Sequence, residues 1–259
     1  MHIIDLSSPV DSEHYEPDPV EHTVLTPAEG ARHMSEEMAE HFGLDFAVDD
    51  LPDGQFLSLD RLSLTTHTGT HVDAPSHYGT RASYRDGGPR HIDEMPLDWF
   101  YRPGIVLDLT DAPTGAVGRE VLEREFARIG RLPEPMDIVL LHTGAQRHGG
   151  TPKYFTDFAG LDGAATHYLL DLGVKVIGTD AFSLDAPFID IIARYRQTRD
   201  RSVLWPAHFA GRDREYCQLE RLANLELLPS QGFTIACFPV KVARAGAGWA
   251  RAVALVEES

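Results

Sequence analysis

Short apolar runs alternate with amphipathic segments through the middle of the sequence. The runs GIVLDLT (104–110), DIVLLHTG (137–144) and VKVIGTDA (174–181) predict buried strands. Helices are predicted between and after these runs, where apolar residues have a helical spacing, at 117–129, 160–172 and 184–197. This strand–helix alternation predicts an α/β fold with a layered architecture.

Further strands are predicted on both sides of this region. They are expected at 2–7, 56–66 and 202–209, and as two strands near the end, in GFTIACFPVKV and WARAVALVE. No change in composition and no low-complexity linker interrupts the sequence. We therefore expect a single domain over residues 1–259.

One helix carries clear boundary signals. Thr26 is a plausible N-cap, Pro27 occupies the first helical position, and Glu29 completes a capping box. Met34, Met38 and Phe42 are spaced four residues apart, and Gly43 is predicted to end the helix. This spacing predicts one apolar helix face that packs into the core.

The sequence is strongly acidic, with 40 Asp and Glu against 23 Lys and Arg, and has a formal net charge of −17. Proteins that bind nucleic acid or anionic membranes need clustered positive charge, so neither partner is expected. No apolar run approaches the roughly 18 residues that span a bilayer, and the first residues do not resemble a signal peptide. Because Cys217 and Cys237 form no disulfide framework, a soluble cytoplasmic protein is the expectation.

The segment HTGTHVDAPSH, residues 67–77, concentrates metal-binding side chains. His67, His71 and Asp73 can converge on one point of an extended or looped chain. Imidazole nitrogens and carboxylate oxygens are ligands of Zn²⁺ and related ions, and three protein ligands leave a position open for water or substrate. His77 could be a further ligand or a proton-transfer group. Since the chain has 13 His, chance proximity is the alternative explanation for any one pair.

Two other polar groups follow predicted strands. The sequence HTG at 142–144 is interpreted as a buried turn near the site. Asp180, Ser183 and Asp185 follow the next strand, where α/β folds place their sites, but Ser183 and Asp185 are also good helix caps. Both interpretations of this group remain open.

The 67–77 segment contains every specified residue of HxGTHxDxPxH, the signature of the cyclase/kynurenine formamidase superfamily, which the chain therefore resembles. The resemblance implies a swivelling β/β/α fold and a divalent-metal site. It implies that His67, His71 and Asp73 are metal ligands and that His77 is the general acid/base.

Formamidase-type sites of this superfamily also contain a His and a Glu twelve residues apart. His208 and Glu220 have this spacing here, and Glu215 is a rival for Glu220. By resemblance, Asp73 and Glu220 would bridge two metals and His208 would bind the second. We therefore expect one or two divalent ions per chain, with zinc or manganese favoured.

Several stretches resemble the second/third-ring aromatic polyketide cyclases of antibiotic pathways: IIDLSSPVD, TPAEGARHMSEEM, DAFSLDAPF, SVLWPAHFAGRDREYCQLERLANL and FPVKV. The first hypothesis is therefore a metal-dependent cyclase that closes and aromatises a ring of a polyketide. Its substrate would be a carbonyl-rich small molecule, and the arginines at 194, 196, 199 and 201 form a candidate patch for an acyl carrier protein or another subunit. The other interpretation of these arginines is a solvated helix end.

The alternative is an amide hydrolase that resembles kynurenine formamidase or isatin hydrolase. Formamidases carry a substrate-stacking Trp near the N-terminus, and YEPDP places Tyr15 there instead. Tyr15 is thus the candidate substrate-binding residue, and N-formylkynurenine is the less expected amide. A metal-stabilised binding protein without activity is a third hypothesis. By resemblance, a homodimer or higher homo-oligomer is expected.

Overall fold

The computed structural model describes residues 1–257. Its strands are β1 (His2–Asp5), β2 (Glu21–Leu25), β3 (Leu59–Ser63), β4 (His71–Asp73), β5 (Tyr101–Asp108), β6 (Gly115–Val117), β7 (Ile138–His142), β8 (Ala159–Leu161), β9 (Val176–Thr179), β10 (Cys217–Glu220), β11 (Gln231–Ala236), β12 (Ala247–Trp249) and β13 (Val253–Val256). Its α-helices are α1 (Pro27–Phe42), α2 (Arg119–Ile129), α3 (Gly163–Asp171), α4 (Phe188–Thr198) and α5 (Pro206–Ala210). The predicted α/β fold is confirmed.

The main sheet has nine strands in the order β1-β13-β11-β5-β7-β9-β10-β4-β12. Strands β5, β7, β9 and β10 run parallel to one another, and the outer strands on both sides pair antiparallel. A short parallel pair, β6 and β8, stands beside this sheet. The middle of the sheet is therefore parallel, as the alternation of strands and helices predicts.

Apolar clusters cover both faces of the parallel strands. Along β7, Ile138 and Leu140 belong to one cluster, and Val139 and Leu141 belong to the other. Helices α2 and α3 contribute to the second cluster. Burial on two faces explains why these strands are continuous apolar runs in the sequence rather than alternating ones.

The described chain forms two compact units. The larger contains Met1–Val10, His14–Glu16 and the chain from Thr66 onward, and therefore the whole nine-stranded sheet. The smaller contains Asp11–Glu13 and Pro17–Thr65. It consists of α1, two short 3₁₀ turns and the antiparallel pair β2–β3. One domain over residues 1–259 remains a prediction.

Helix α1 begins and ends as predicted, but its apolar face is not core. The capping box between Thr26 and Glu29 is present, and Gly43 ends the helix in the left-handed conformation. Phe42, however, is 74% exposed, and Met34 and Met38 are only partly buried. The buried positions of α1 are Gly30 and Ala31. A Cβ at Gly30 would lie 2.2 Å from the Leu57 carbonyl oxygen, so the backbone itself packs closely on that face.

The strand predicted at 202–209 is wrong. Residues Arg201–Val203 form a 3₁₀ turn and Pro206–Ala210 form α5. Proline at a first helical position is favourable, whereas it removes a donor from a strand. The carboxylate of Asp185 accepts the N–H groups of Ala207 and His208, and so caps the new helix.

Among the described residues, no helix has the length and apolar character needed to cross a bilayer.

The predicted arginine patch lies at the C-terminal end of α4 and just beyond it, where Arg194, Arg196, Arg199 and Arg201 are all exposed. Basic side chains at a helix C-terminus interact favourably with the helix dipole. A carrier-protein contact at this patch remains a prediction.

Candidate metal centre

Strand pairing brings three of the predicted ligands together. Strands β4 and β10 pair antiparallel, with Glu220 opposite His71 and Gln218 opposite Asp73. Residues that face one another across such a pair share a sheet face, and so do residues two apart on one strand. His71, Asp73 and Glu220 consequently project from the same face of the sheet, and all three are buried.

Asp73 is the centre of the cluster. Its Oδ1 lies 2.9 Å from Nδ1 of His67 and 3.3 Å from Nε2 of His71. Its Oδ2 lies 3.9 Å from Nε2 of His77 and equally far from Nε2 of His208. The side chain is fully buried, yet neither oxygen accepts a hydrogen bond of good geometry. A buried carboxylate without hydrogen bonds is costly unless a cation balances it, so this carboxylate fits a metal ligand.

Opposing effects set the charge states of Asp73 and Glu220. Burial alone would raise the pKa of Asp73, but the imidazoles of His71, His67 and His77 outweigh it and hold that pKa well below its usual range. Burial, together with the charge of Asp73, raises the pKa of Glu220. Two carboxyl groups buried this close together favour the binding of a cation between them.

The backbone turn at Gly69 orients His71. Nδ1–H of His71 donates to the Gly69 carbonyl at 2.9 Å, which leaves Nε2 directed at Asp73 and Glu220 as a lone-pair donor. Gly69 has φ of +68°, a conformation that side chains rarely adopt. A hydrogen bond to the second imidazole nitrogen is typical of metal-binding histidines.

A carboxylate orients His208 in the same way. Nδ1 of His208, on α5, lies 2.5 Å from Oδ2 of Asp185. Burial would lower the pKa of His208, but the hydrogen bond and charge of Asp185 outweigh it and raise that pKa to about 9. Asp185 therefore has two functions, since it caps α5 and also holds His208. The sequence left open whether Asp185 caps the helix that follows it or belongs to the site. Asp185 does not cap that helix, α4, and lies instead at the start of α5 beside His208.

The two candidate glutamates occupy different surroundings. Oε2 of Glu220 lies 3.7 Å from Nε2 of His71, and its Oε1 accepts the Leu184 N–H at 2.8 Å. Glu215 instead forms an ion pair with Arg90 at 3.3 Å. The geometry thus places Glu220, and not Glu215, in a group able to bind a metal.

His77 lies on the 3₁₀ turn that follows β4 and is 35% exposed. Its ring centroid is 4.3 Å from that of His67 and 5.4 Å from that of His208. Burial lowers the pKa of His77 to about 4. The charges of His67 and His208 also lower this pKa, whereas the charge of Asp73 opposes them. Its ring is neutral at pH 7 and its Nε2 faces the cluster.

Two overlapping groups of side chains could hold ions. One is His67, Asp73 and His77, and the other is His71, Asp73 and Glu220. In each group the donor atoms lie within 4.8 Å of one another. Nitrogen and carboxylate oxygen donors suit Zn²⁺, Mn²⁺ and related ions. The cluster fits a divalent metal, and Asp73 is common to both groups.

Tyr15 precedes Glu16, which contacts the candidate site through Arg221. Tyr15 is 48% exposed, and its ring packs edge-on against Phe155 at 5.6 Å. Glu16 forms a buried ion pair with Arg221, whose Nη1 donates to the His67 carbonyl at 3.1 Å. Arg221 was not among the predicted residues. Its position directly after Glu220 is the one sequence signal that could have suggested it.

The group at Asp180 is a structural network. Its carboxylate accepts hydrogen bonds from the backbone and hydroxyl of Thr143 and from the Gly144 N–H, at 2.6–2.8 Å. Asp180 therefore fixes the 142–144 turn, in agreement with the interpretation of HTG as a buried turn.

The chain is similar to a kynurenine formamidase and to an isatin hydrolase. It is 32% identical to a kynurenine formamidase of Salinibacter ruber over 204 residues, which cover 78% of this chain and 81% of the relative. It is 26% identical to an isatin hydrolase of Roseibium aggregatum over 226 residues, which cover 80% of this chain and 78% of the relative.

Solved structures share the fold. An isatin hydrolase bound to the product analogue thioisatinate superposes with a TM-score of 0.75 at 20% identity, over 99% of this chain and 92% of that one. A potential metal-dependent hydrolase with cyclase activity gives a TM-score of 0.64 at 18% identity, over 100% and 99% of the two chains. Residues 4–186 match the family described as putative cyclase. This chain belongs to the putative cyclase family.

Proposed function

We propose that the protein is a metal-dependent amide hydrolase that cleaves the C–N bond of an N-formyl or cyclic amide of an aromatic amine. The observation that carries this proposal is the buried carboxylate of Asp73, which has no good hydrogen bond and is surrounded by four histidines. The kynurenine formamidase and isatin hydrolase relatives favour this chemistry over polyketide ring closure, which was the first hypothesis from the sequence.

The side chains that would hold the metal are those of His67, His71, Asp73 and Glu220, together with His208, which Asp185 orients. A divalent ion bound there supplies Lewis acidity, which polarises a carbonyl and makes water nucleophilic at neutral pH. The remaining steps depend on proton transfers by residues of this chain.

His77 is proposed as the proton-transfer residue. Its half-exposed ring is neutral at pH 7, because burial lowers its pKa, so Nε2 can accept a proton from water. Oxygen of that water bonds to the amide carbon, the C–N bond breaks, and the imidazolium returns the proton to the departing nitrogen. Water is consumed, and a carboxylic acid and an amine are formed, so atoms balance.

The test is a side-by-side assay of the metal-loaded protein. One set of substrates contains N-formylkynurenine, formanilide and isatin, and the other is a partly cyclised polyketide intermediate. We expect turnover of at least one amide, and loss of that turnover in Asp73→Asn. Ring closure of the polyketide with no amide turnover would overturn the proposal and restore the cyclase hypothesis.

A further inference from the structure

Five aromatic rings form a continuous row on the larger unit. Neighbouring rings are in contact, with centroids 4.7–5.8 Å apart and interplanar angles of 58–87°. In order, the row is Tyr15, Phe155, Phe182, Phe188 and Trp205. These residues come from four separate parts of the sequence, with Phe182 and Phe188 in one stretch, so the fold, and not a local repeat, assembles the row.

The row is supported by buried side chains and is partly accessible to solvent. Phe155 and Phe182 pack against a small buried cluster that includes Tyr154 and Phe158. Tyr15 and Phe188 are 48% and 42% exposed, and the other three rings are partly exposed. Partly exposed aromatic rings that buried side chains hold in place are a typical binding surface for another aromatic system.

The backbone at the end of the row is strained. Trp205 has φ of 44° and ψ of 53°, the left-handed region that a bulky residue rarely adopts. Such conformations persist where the surrounding structure enforces them, and they cluster at ligand sites. Here the unusual backbone starts α5 and presents the indole to Phe188 at 5.2 Å.

Three connections link the row to residues of the candidate metal centre. Trp205 lies three residues, about one turn, before His208 on α5. Phe182 lies two residues before Leu184, whose N–H donates a hydrogen bond to Oε1 of Glu220. The guanidinium of Arg221 lies 5.9 Å from the Phe182 ring centre and also donates to the His67 carbonyl.

We propose that this row binds the planar, multi-ring part of the substrate, so that the enzyme prefers amides carried on fused aromatic ring systems to amides of a single ring. A single ring can contact only one or two members of a row with this spacing, whereas a fused system can lie along several. The acidic chain favours a neutral ligand over an anionic one. This inference rests on the proposed function, because it assigns that site its substrate class.

The first measurement is binding, which does not depend on turnover. The metal-loaded protein is titrated with anthracene-2-carboxamide, followed by its fluorescence anisotropy, and benzamide is measured by displacement. We expect the three-ring ligand to bind at least about tenfold more tightly than the single-ring one, since each aromatic contact contributes a severalfold gain.

The second measurement compares variants. Phe188→Ala and Phe188→Leu, which remove one ring from the row, are expected to raise the Kd of anthracene-2-carboxamide about three- to tenfold and to change that of benzamide little. Ile189→Ala is the matched control, because Ile189 is the next residue on α4, is 57% exposed and lies outside the row. Formanilide and N-(2-anthracenyl)formamide, which share a scissile bond, then test whether kcat/KM follows the same preference.

The outcomes separate the two proposals. Selective binding with no amide turnover supports the row and refutes the hydrolase. Turnover of formanilide with no preference for fused rings, or equal effects of Phe188→Ala and Ile189→Ala, overturns the row. A change of oligomeric state in Phe188→Ala, with no change in ligand binding, would identify the row as an interface between copies of the chain and would also overturn it.

Discussion

Asp185→Asn is the substitution that best tests how the metal centre is built. Both oxygens of Asp185 accept hydrogen bonds, from the backbone of Ala207 and from the backbone and ring of His208. Asparagine keeps the size of the side chain but replaces one acceptor with an NH₂ group. That group would then face an N–H donor inside a fully buried site.

Two losses add in this variant. Loss of a helix N-cap costs ~1 kcal/mol, and loss of a buried hydrogen bond that involves a charged group costs about 1.5–3 kcal/mol. We expect the free energy of unfolding to fall by about 2.5–4 kcal/mol in the metal-free protein. Metal affinity should fall about 10–100-fold, as it does when the partner of a metal-binding histidine is removed.

Urea unfolding of the metal-free protein measures the first effect, and competition with a chelating dye measures the second. Asp162→Asn is the matched control. Asp162 caps α3 through the Ala165 N–H at 2.8 Å and contacts no histidine of the cluster. The control should lose ~1 kcal/mol with unchanged metal affinity.

Two results would refute the reasoning. If Asp185→Asn binds metal as tightly as the parent protein, Asp185 does not orient a ligand and His208 lies outside the metal site. If both variants lose the same stability and the same affinity, the effect of Asp185 is that of a helix cap alone.

The remaining predictions concern single side chains of the cluster. His77→Ala should keep its metal and lose about 100-fold or more in kcat; an empty site would instead make His77 a ligand. Glu220→Gln should lose metal affinity while Glu215→Gln keeps it, and the reverse would contradict the assignment. In metal-free protein, the pKa of His208 is raised from 6.5 to about 9, so its protonated ring stabilises the fold fully below about pH 6.5 and this contribution is lost as pH rises through about 9. Urea unfolding on both sides of that range checks the sign, and equal stability at both ends would contradict it.

Local signals predicted the fold well where burial is simple. Strands β5, β7 and β9 are buried on both faces, so their apolar runs identified them. Two errors arose where tertiary context decides. The segment 202–209 has strand-like composition, but the carboxylate of Asp185, distant in sequence, stabilises a helix start at Pro206. The apolar spacing of α1 is real, yet Phe42 remains exposed.

The candidate site was predictable as far as its ligand types. His67, His71, Asp73 and His77 lie in one short segment, and the structure brings His208 and Glu220 to it. What spacing could not reveal is the pairing of β10 with β4, which sets Glu220 opposite His71. The aromatic row could not be predicted either, because its members come from four distant parts of the sequence and meet only in the folded chain.

The antiparallel pairing of β4 with β10 also has a consequence for folding kinetics. The two strands are far apart in sequence. Such non-local pairings form slowly, because the entropy of closing the loop is lost before the strand contacts stabilise the chain. An unfolded chain therefore offers an ion only the nearby ligands of residues 67–77, without Glu220. An ion that binds only after the strands meet stabilises the native state more than the transition state, so it slows unfolding and leaves the folding rate nearly unchanged. The metal would then govern how long the fold persists rather than how quickly it is reached.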